Sequence, residues 1–246
     1  METFSRLTPG VTQVKADQIN VIYDALESLN KGWIEIPSTW VYASSTTVTV
    51  DTDATARYKK GWRVRFKQGG AYQYYVMTIV AATLLTLDGG TVTVANAAIT
   101  DVAISPILDP VGFPDYFDFV PSWTNFTPGD ATITARKWFT GKTLDFEIYV
   151  VLGGTSSVSA SGPITFVAPA TLAAGAGYTV PVGQCLMFDS GTRYQGVVKI
   201  ASSTTLGIHA VFTASTYASL SDTTSSVPFT WATADRLEIK GSITWA

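Results

Sequence analysis

The stretch Thr143-Leu-Asp-Phe-Glu-Ile-Tyr-Val-Val151 shows the pattern from which the fold is predicted. Its side chains alternate in polarity, as expected for a β-strand, in which successive residues point to opposite faces of the sheet. One face carries Leu144, Phe146, Ile148 and Val150, and the other carries Thr143, Asp145 and Glu147. A strand with one apolar face is half buried, as in an antiparallel sheet that packs on a core.

Short strands of the same kind fill residues 122–246, separated by turns such as Gly153-Gly154 and Asp189-Ser-Gly191. Gly, Asp and Ser favour turns because they tolerate, or hydrogen-bond to, the backbone conformations that turns require. The predicted strands are Ala131–Phe139, Leu144–Leu152, Gly162–Val167, Cys185–Asp189, Gln195–Ile200, Leu206–Thr213 and Arg236–Trp245. This succession predicts a C-terminal β-sandwich of the jelly-roll type.

Residues 33–108 predict a smaller β unit. In Trp62-Arg-Val-Arg-Phe-Lys67 the apolar side chains are expected to face a core, while Arg63, Arg65 and Lys67 face outward. Gln68-Gly-Gly-Ala71 then leads into a second strand as a hairpin. Several short strands in this span fit a small antiparallel barrel of the OB or SH3 type.

Residues 1–32 form a predicted attachment segment with one short helix. Its apolar residues Ile19, Ile22, Leu26 and Leu29 recur at helical spacing, and Gly32 provides a left-handed stop. A lone helix of this length is marginal in water, so it must dock on something. Two interpretations remain open: the helix packs on its own barrel, or it bundles with neighbouring subunits or plugs into a larger assembly.

Residues 109–121 are predicted to connect the two β units. This span and its flank carry four prolines, which exclude helix and interior strand. Aromatic residues lie between the prolines, whereas a solvated tether would lack them. We therefore predict a stiff connector that packs against the domain surfaces.

The composition indicates a chain that is covered by other protein. Charged residues make up 14 % of the 246 residues, against roughly 25 % in an ordinary soluble domain. The net charge of −3 favours neither nucleic acid nor an anionic membrane, and no apolar stretch predicts membrane insertion. The N-terminus does not resemble a signal peptide, so synthesis and assembly in the cytoplasm are expected.

Catalytic and metal-binding patterns find little support. The single histidine, His209, lies in an apolar strand, and the single cysteine, Cys185, is expected to be a small core residue. Asp145 and Glu147 share a strand face, as carboxylates of a glycosidase would, but simple alternation explains them equally well. Asp51 with Asp53, and Asp115 with Asp118, fit turn chemistry better than a calcium loop. We therefore predict no enzyme activity, no cofactor and no metal.

Two groups of residues are candidates for binding surfaces. A basic patch comprises Arg57, Lys59, Lys60, Arg63, Arg65 and Lys67. It is interpreted either as a solvated sheet face or as a contact with an acidic neighbouring subunit or a charged polysaccharide, in preference to nucleic acid. Aromatic residues near the segment ends, where interfaces or glycan sites are expected, are Trp33, Trp40 and Trp245.

Several motifs suggest a family. Trp123-Thr-Asn-Phe-Thr-Pro128, the run from Ala135 to Phe146, and the chain end from Pro228 to Gly241 resemble C-terminal modules of structural proteins of tailed bacteriophages. The segment from Trp40 to Phe66 resembles a small barrel of phage tail and fibre proteins, and Leu7-Thr-Pro-Gly10 with the helix is similar to fibre attachment segments. The resemblance implies a virion protein, usually trimeric, in tail fibres, tail tips or head fibres.

Three functional hypotheses follow. The first is a non-enzymatic, self-associating virion protein, a homotrimeric tail fibre or tail-tip component, with a capsid head fibre or decoration protein as the alternative location. The second is a carbohydrate-binding, receptor-recognition module that contacts host-surface glycan through the loops at 170–179 and 214–227. The third is a polymer-degrading enzyme that uses Asp145 and Glu147.

Overall fold

The computed structural model of the chain describes residues 16–51, 53–172, 180–213 and 218–245. It is an all-β protein with a short N-terminal helix, which confirms the predicted fold class. Helix α1 covers Ala16–Asn30, and a single turn of helix, α2, covers Ala54–Arg57. The predicted loops at 170–179 and 214–227 lie partly outside the described residues, at 173–179 and 214–217, as does the Leu7-Thr-Pro-Gly10 motif.

The first sheet has its strands in the order β1-β7-β4-β5-β6-β3-β2. These are β1 (Ile34–Glu35), β2 (Trp40–Ser44), β3 (Thr47–Val50), β4 (Arg63–Gln68), β5 (Ala71–Val80), β6 (Leu84–Asp88) and β7 (Thr100–Ser105). In a flat sheet, four strand spacings would separate β2 from β4 by about 19 Å. The rings of Trp40 on β2 and Phe66 on β4 are nevertheless 6.4 Å apart. The sheet therefore curls around its own apolar face as an open barrel.

The second sheet has the order β8-β11-β12-β19-β15-β16-β17-β14-β9, with β18 paired to β17, and β10 pairs separately with β13. Its short strands are β8 (Phe117–Asp118), β9 (Trp123–Thr124), β10 (Phe126–Thr127), β13 (Ser157–Val158), β14 (Thr165–Val167) and β18 (Ala218–Asp222). Its long strands are β11 (Thr132–Thr140), β12 (Thr143–Val151), β15 (Pro181–Asp189), β16 (Thr192–Ile200), β17 (Thr205–Thr213) and β19 (Arg236–Thr244).

This second sheet folds over to form a sandwich. Phe146 on β12 and Phe166 on β14 lie five strand spacings apart along the sheet, about 24 Å if it were flat. Their ring centroids are 5.9 Å apart, so the two ends of the sheet face each other across the core. The alternation predicted for β12 is confirmed, because Leu144, Phe146, Ile148 and Val150 are all buried.

Helix α1 is attached at its C-terminal end. Gly32 has a φ of +78°, as predicted for the residue that stops the helix. The next residue, Trp33, is buried and donates a hydrogen bond from Nε1 to the carbonyl oxygen of Val111 at 2.9 Å. The amide of Val111 in turn donates to the carbonyl oxygen of Lys31 at 2.9 Å. The base of the helix is thus held by the connector.

Helix α2 and the short strands β1, β8, β9, β10, β13 and β18 were not predicted from the sequence. Ala218–Asp222, assigned to a loop, is strand β18. Its sequence lacks the β-branched residues typical of strands, and it is extended because it pairs with β17. Helix α2 follows Asp53, which caps it by accepting a hydrogen bond from the Thr55 amide at 3.0 Å.

The two β units meet through buried polar contacts. Lys137 on β11 donates from Nζ to Asp88 at the end of β6 at 2.6 Å, and to the carbonyl oxygen of Pro169 at 2.9 Å. The Lys137 side chain is 7 % exposed and that of Asp88 is 19 % exposed. Beside this pair, the amide of Thr91 donates to the carbonyl oxygen of Asp118 at 2.7 Å. These contacts join β6 of the barrel to β8 and β11 of the sandwich.

We expect Asp88→Asn to lower the free energy of unfolding by about 3 kcal/mol, because Lys137 would stay buried without its carboxylate. Asparagine keeps an oxygen that can accept the hydrogen bond from the Gly90 amide. The control is Glu147→Gln, since Glu147 forms an exposed ion pair with Lys240 at 3.5 Å. That change should lower the free energy of unfolding, measured by urea denaturation, by less than about 1 kcal/mol. Equal losses for the two variants would contradict the prediction.

Candidate functional site

The apolar stripe of α1 is exposed. Ile19, Ile22, Leu26 and Leu29 are 40 %, 42 %, 56 % and 60 % exposed, respectively. Every side chain of α1 that the structure describes is exposed, including Val21 on another face of the helix. The helix therefore does not pack this stripe on the described part of its own barrel, which was the first of the two predicted interpretations.

Further apolar residues lie near the base of α1. Ile34 on β1 follows the helix closely, and Ile107, two residues before the connector, lies against Gly32. Ile34, Ile107, Leu108 and Val111 are all exposed. The exposed apolar surface of α1 thus continues onto the body of the protein.

The predicted outward face of β4 passes from solvent into the interior. Lys67, at one end, forms an exposed ion pair with Asp101 at 2.7 Å. Arg65, in the middle, is half buried between the rings of Trp33 and Tyr72, at 4.6 Å and 4.9 Å from their centroids. Arg63, at the other end, is 2 % exposed. The prediction that all three face solvent is wrong, because the connector and the sandwich cover this end of the strand.

Arg63 is held by backbone carbonyl oxygens of three segments. Its Nε donates to Leu108 at 2.9 Å, its Nη1 to Gly61 at 3.2 Å and its Nη2 to Phe139 at 2.6 Å. Burial lowers the pKa of Arg63 to about 10, and the nearby charge of Asp109 opposes this shift. Even at that pKa the guanidinium is charged at neutral pH, so it acts as a buried cation at the junction of the two units.

The remaining members of the basic patch lie before β4. Arg57, Lys59 and Lys60 are exposed. The Nζ of Lys60 lies 4.3 Å from the centroid of the Trp245 ring, and partial burial lowers its pKa. The six basic residues therefore do not form one continuous surface, and only part of the patch is available to an anionic partner.

The three tryptophans predicted at interface or glycan sites are buried. Trp33, Trp40 and Trp245 are 0 %, 2 % and 5 % exposed. Their indole N–H groups donate hydrogen bonds within the chain, to the carbonyl oxygen of Val111, the hydroxyl of Ser38 and the carbonyl oxygen of Gly141, respectively. The prediction is corrected, because these rings pack inside the protein: Trp33 against the connector, Trp245 against β11 and Trp40 in the barrel core. They therefore present no platform to a ligand.

Two of the candidate catalytic or metal-binding groups have partners within the chain. Asp53 caps α2, and Glu147 pairs with Lys240. Burial raises the pKa of the Cys185 thiol to about 12. Within the described ranges, no three His, Cys, Asp or Glu side chains are grouped as metal ligands would be. Neither described helix is long and apolar enough to cross a membrane.

A hairpin that sequence reasoning missed extends from the end of the sandwich farthest from the barrel. Strand β17 pairs with β16 only as far as Ala210. Its pairing with β18 continues beyond that residue, to the pair formed by Thr213 and Ala218. The exposed apolar side chains of the hairpin are Val211, Phe212 and Leu220. The barrel lies at the opposite end, where Arg63 reaches Phe139 and Lys60 reaches Trp245. The hairpin therefore marks a distal end.

In comparisons with known proteins, no family model, no curated protein and no solved structure matches this chain.

We expect His209 to make the fold less stable in mild acid. Its Nδ1 lies 3.0 Å from Asp222 across the β17–β18 pair. Burial lowers the pKa of His209 below 6.5, with a further contribution from Lys199, while Asp222 acts against the shift. Because the pKa of His209 is lower in the folded state than in the unfolded state, its neutral form stabilises the fold fully above the pKa of the unfolded state. This stabilisation is lost as the pH falls through the pKa of the folded state.

The matched variant is His209→Gln, which removes this titration. Urea denaturation at pH 7.5 and pH 5 should show a larger loss of stability for the original protein than for the variant. Parallel losses in the two proteins would contradict the prediction.

Proposed function

We propose that this chain is a non-enzymatic structural protein of a tailed-bacteriophage virion. In this proposal it associates as a homotrimer in a tail fibre or tail tip and contacts other virion proteins. The single observation that carries the self-association is the exposed apolar stripe of α1, formed by Ile19, Ile22, Leu26 and Leu29. The virion assignment is supported by the sequence resemblance.

The physical argument starts from the length of the helix. A 15-residue helix spans about 22 Å and is marginal in water unless an apolar face packs. Burial of one aliphatic side chain is worth about 1.5–3 kcal/mol. Four such side chains per chain, at coiled-coil spacing, would contribute favourable burial to the packing of neighbouring helices. The partner that matches this stripe most simply is the same stripe on another copy.

Two further features support a structural role. Only 14 % of the residues are charged, which favours a surface that is partly covered in an assembly. The tandem β units are joined by the buried contacts of Arg63 and Lys137, which suit a stiff, load-bearing rod segment. A capsid head fibre or decoration protein would use the same features and is the alternative location.

We expect Leu26→Asp to disrupt the assembly. Light scattering should give a mass three times the 26.3 kDa of the chain for the original protein and a lower mass for the variant. The control is Val21→Asp, which makes the same kind of change about 140° around the helix from Leu26. A chain that is monomeric at high concentration, or a Val21→Asp variant that dissociates as readily as Leu26→Asp, would reject assembly through this stripe.

A receptor-recognition role is the second candidate, and the distal hairpin favours it. Val211, Phe212 and Leu220 are exposed at the end of the sandwich opposite the barrel, to which the base of α1 is attached. If α1 anchors the protein, this end projects outward. Exposed apolar and aromatic residues at a projecting end are typical of a contact surface.

We expect the double variant Phe212→Ser, Leu220→Ser to lose most of its binding to host cells. Labelled protein would be sedimented with intact bacteria from a panel of species. Retention by at least one species should fall to roughly a tenth in the variant. Val41→Ser, which changes an exposed aliphatic residue of the first sheet, should leave retention unchanged. A panel without any bound species would leave only the structural role.

A further inference from the structure

A cleft lies where the barrel, the connector and the end of β11 meet. Its volume is about 230 Å³, and Arg63, Asp109, Phe113, Asp115, Trp138 and Phe139 are among its lining residues. Sites for drug-sized ligands measure roughly 300–1,000 Å³, so this cleft suits a single small ring. Junctions between units are common places for such sites.

Arg63 brings hydrogen-bond donors to the cleft. A guanidinium has five N–H donors, and the described bonds of Arg63 to Leu108, Gly61 and Phe139 use three of them. Two N–H groups on its terminal nitrogens therefore remain available. The side chain is held rigidly by the three bonds, so these donors are already oriented before any ligand arrives.

Asp109 and Asp115 bring acceptors. Both residues line the cleft, and both are exposed to solvent. A carboxylate only accepts hydrogen bonds, with room for several donors on its two oxygens. The cleft thus presents donors on its buried side and acceptors at its entrance.

The aromatic residues complete the lining. Phe113 and Trp138 are half buried, and the Arg63 guanidinium lies 5.0 Å from the centroid of the Phe113 ring. Rings of this kind stack on flat, weakly polar surfaces such as the C–H face of a sugar.

The charges of the lining residues disfavour a ligand that carries only one kind of charge. A small anion would be repelled by two carboxylates, and a small cation would meet the buried guanidinium. A neutral ring with several hydroxyl groups satisfies all of these groups, because each hydroxyl both donates and accepts. Its less polar face would lie against the aromatic residues.

We propose that this cleft binds one neutral sugar residue of a surface polysaccharide, with Arg63, Asp109 and Asp115 bonding its hydroxyls and Trp138 contacting its ring. The proposal goes beyond the host-surface contact proposed above, which lies at the distal hairpin, and it does not depend on the assembly of α1. It places the sugar at the junction of the units instead of at the buried tryptophans predicted from the sequence.

The test follows the fluorine resonances of the full chain labelled with 5-fluorotryptophan, in which Trp138→Phe assigns the signal of Trp138. Glucose, galactose and N-acetylglucosamine are the probes. At least one should move the Trp138 resonance saturably, with a dissociation constant on the order of 1 mM. The resonance of Trp231, which is half buried near the distal end, should stay fixed.

Asp115→Asn should weaken this binding roughly tenfold, because it replaces a charged acceptor by a neutral one. Trp231→Phe is the matched control and should leave the affinity unchanged. Leu26→Asp should also bind normally, which separates the sugar site from the proposed assembly.

The proposal would be overturned if no sugar moved the Trp138 resonance at roughly 100 mM, a hundred times the expected dissociation constant. It would also be overturned if the Asp115→Asn variant bound the sugar as tightly as the original protein. Movement of the resonance with choline chloride but with none of the sugars would assign the cleft to a cation.

Discussion

A buried guanidinium links the two halves of this protein. Arg63 belongs to the barrel, yet its donors reach the carbonyl oxygen of Leu108, directly before the connector, and that of Phe139 in the sandwich. A charge removed from water is costly unless it is fully hydrogen-bonded, so the three segments are held in one arrangement around it. Lys137 with Asp88 repeats the same principle a short distance along the junction. The position of the cleft follows from this arrangement, because the same side chains form its wall.

The surfaces of the molecule differ between its ends. Near the junction, polar groups are buried and paired, whereas α1 and the residues around its base leave apolar side chains in water. Exposed aliphatic groups in that number favour association over solvation. At the other end, the β17–β18 hairpin presents a smaller apolar surface on a protruding ribbon. The proposed roles of anchor and contact surface correspond to this difference.

Sequence reasoning found the strands better than the surfaces. Alternation placed β12 and its buried face correctly, because the period of two follows from strand geometry and survives any tertiary arrangement. It failed for β18, whose sequence has low strand propensity and which is extended only because β17 pairs with it. It also failed for Trp33, Trp40 and Trp245, since position near a segment end does not reveal what packs on that end.

The amino-acid sequence by itself determined the all-β class, the short helix with its apolar stripe and the stop at Gly32, because each depends on local periodicity and backbone preference. Only the tertiary structure decided which end of β4 lies in water, because Lys67 and Arg63 occupy equivalent positions in the same alternation. They differ in what covers them: Lys67 meets solvent and Asp101, whereas Arg63 meets a connector and a second unit distant in the sequence. Burial of that kind is a property of long-range packing, and no local pattern encodes it.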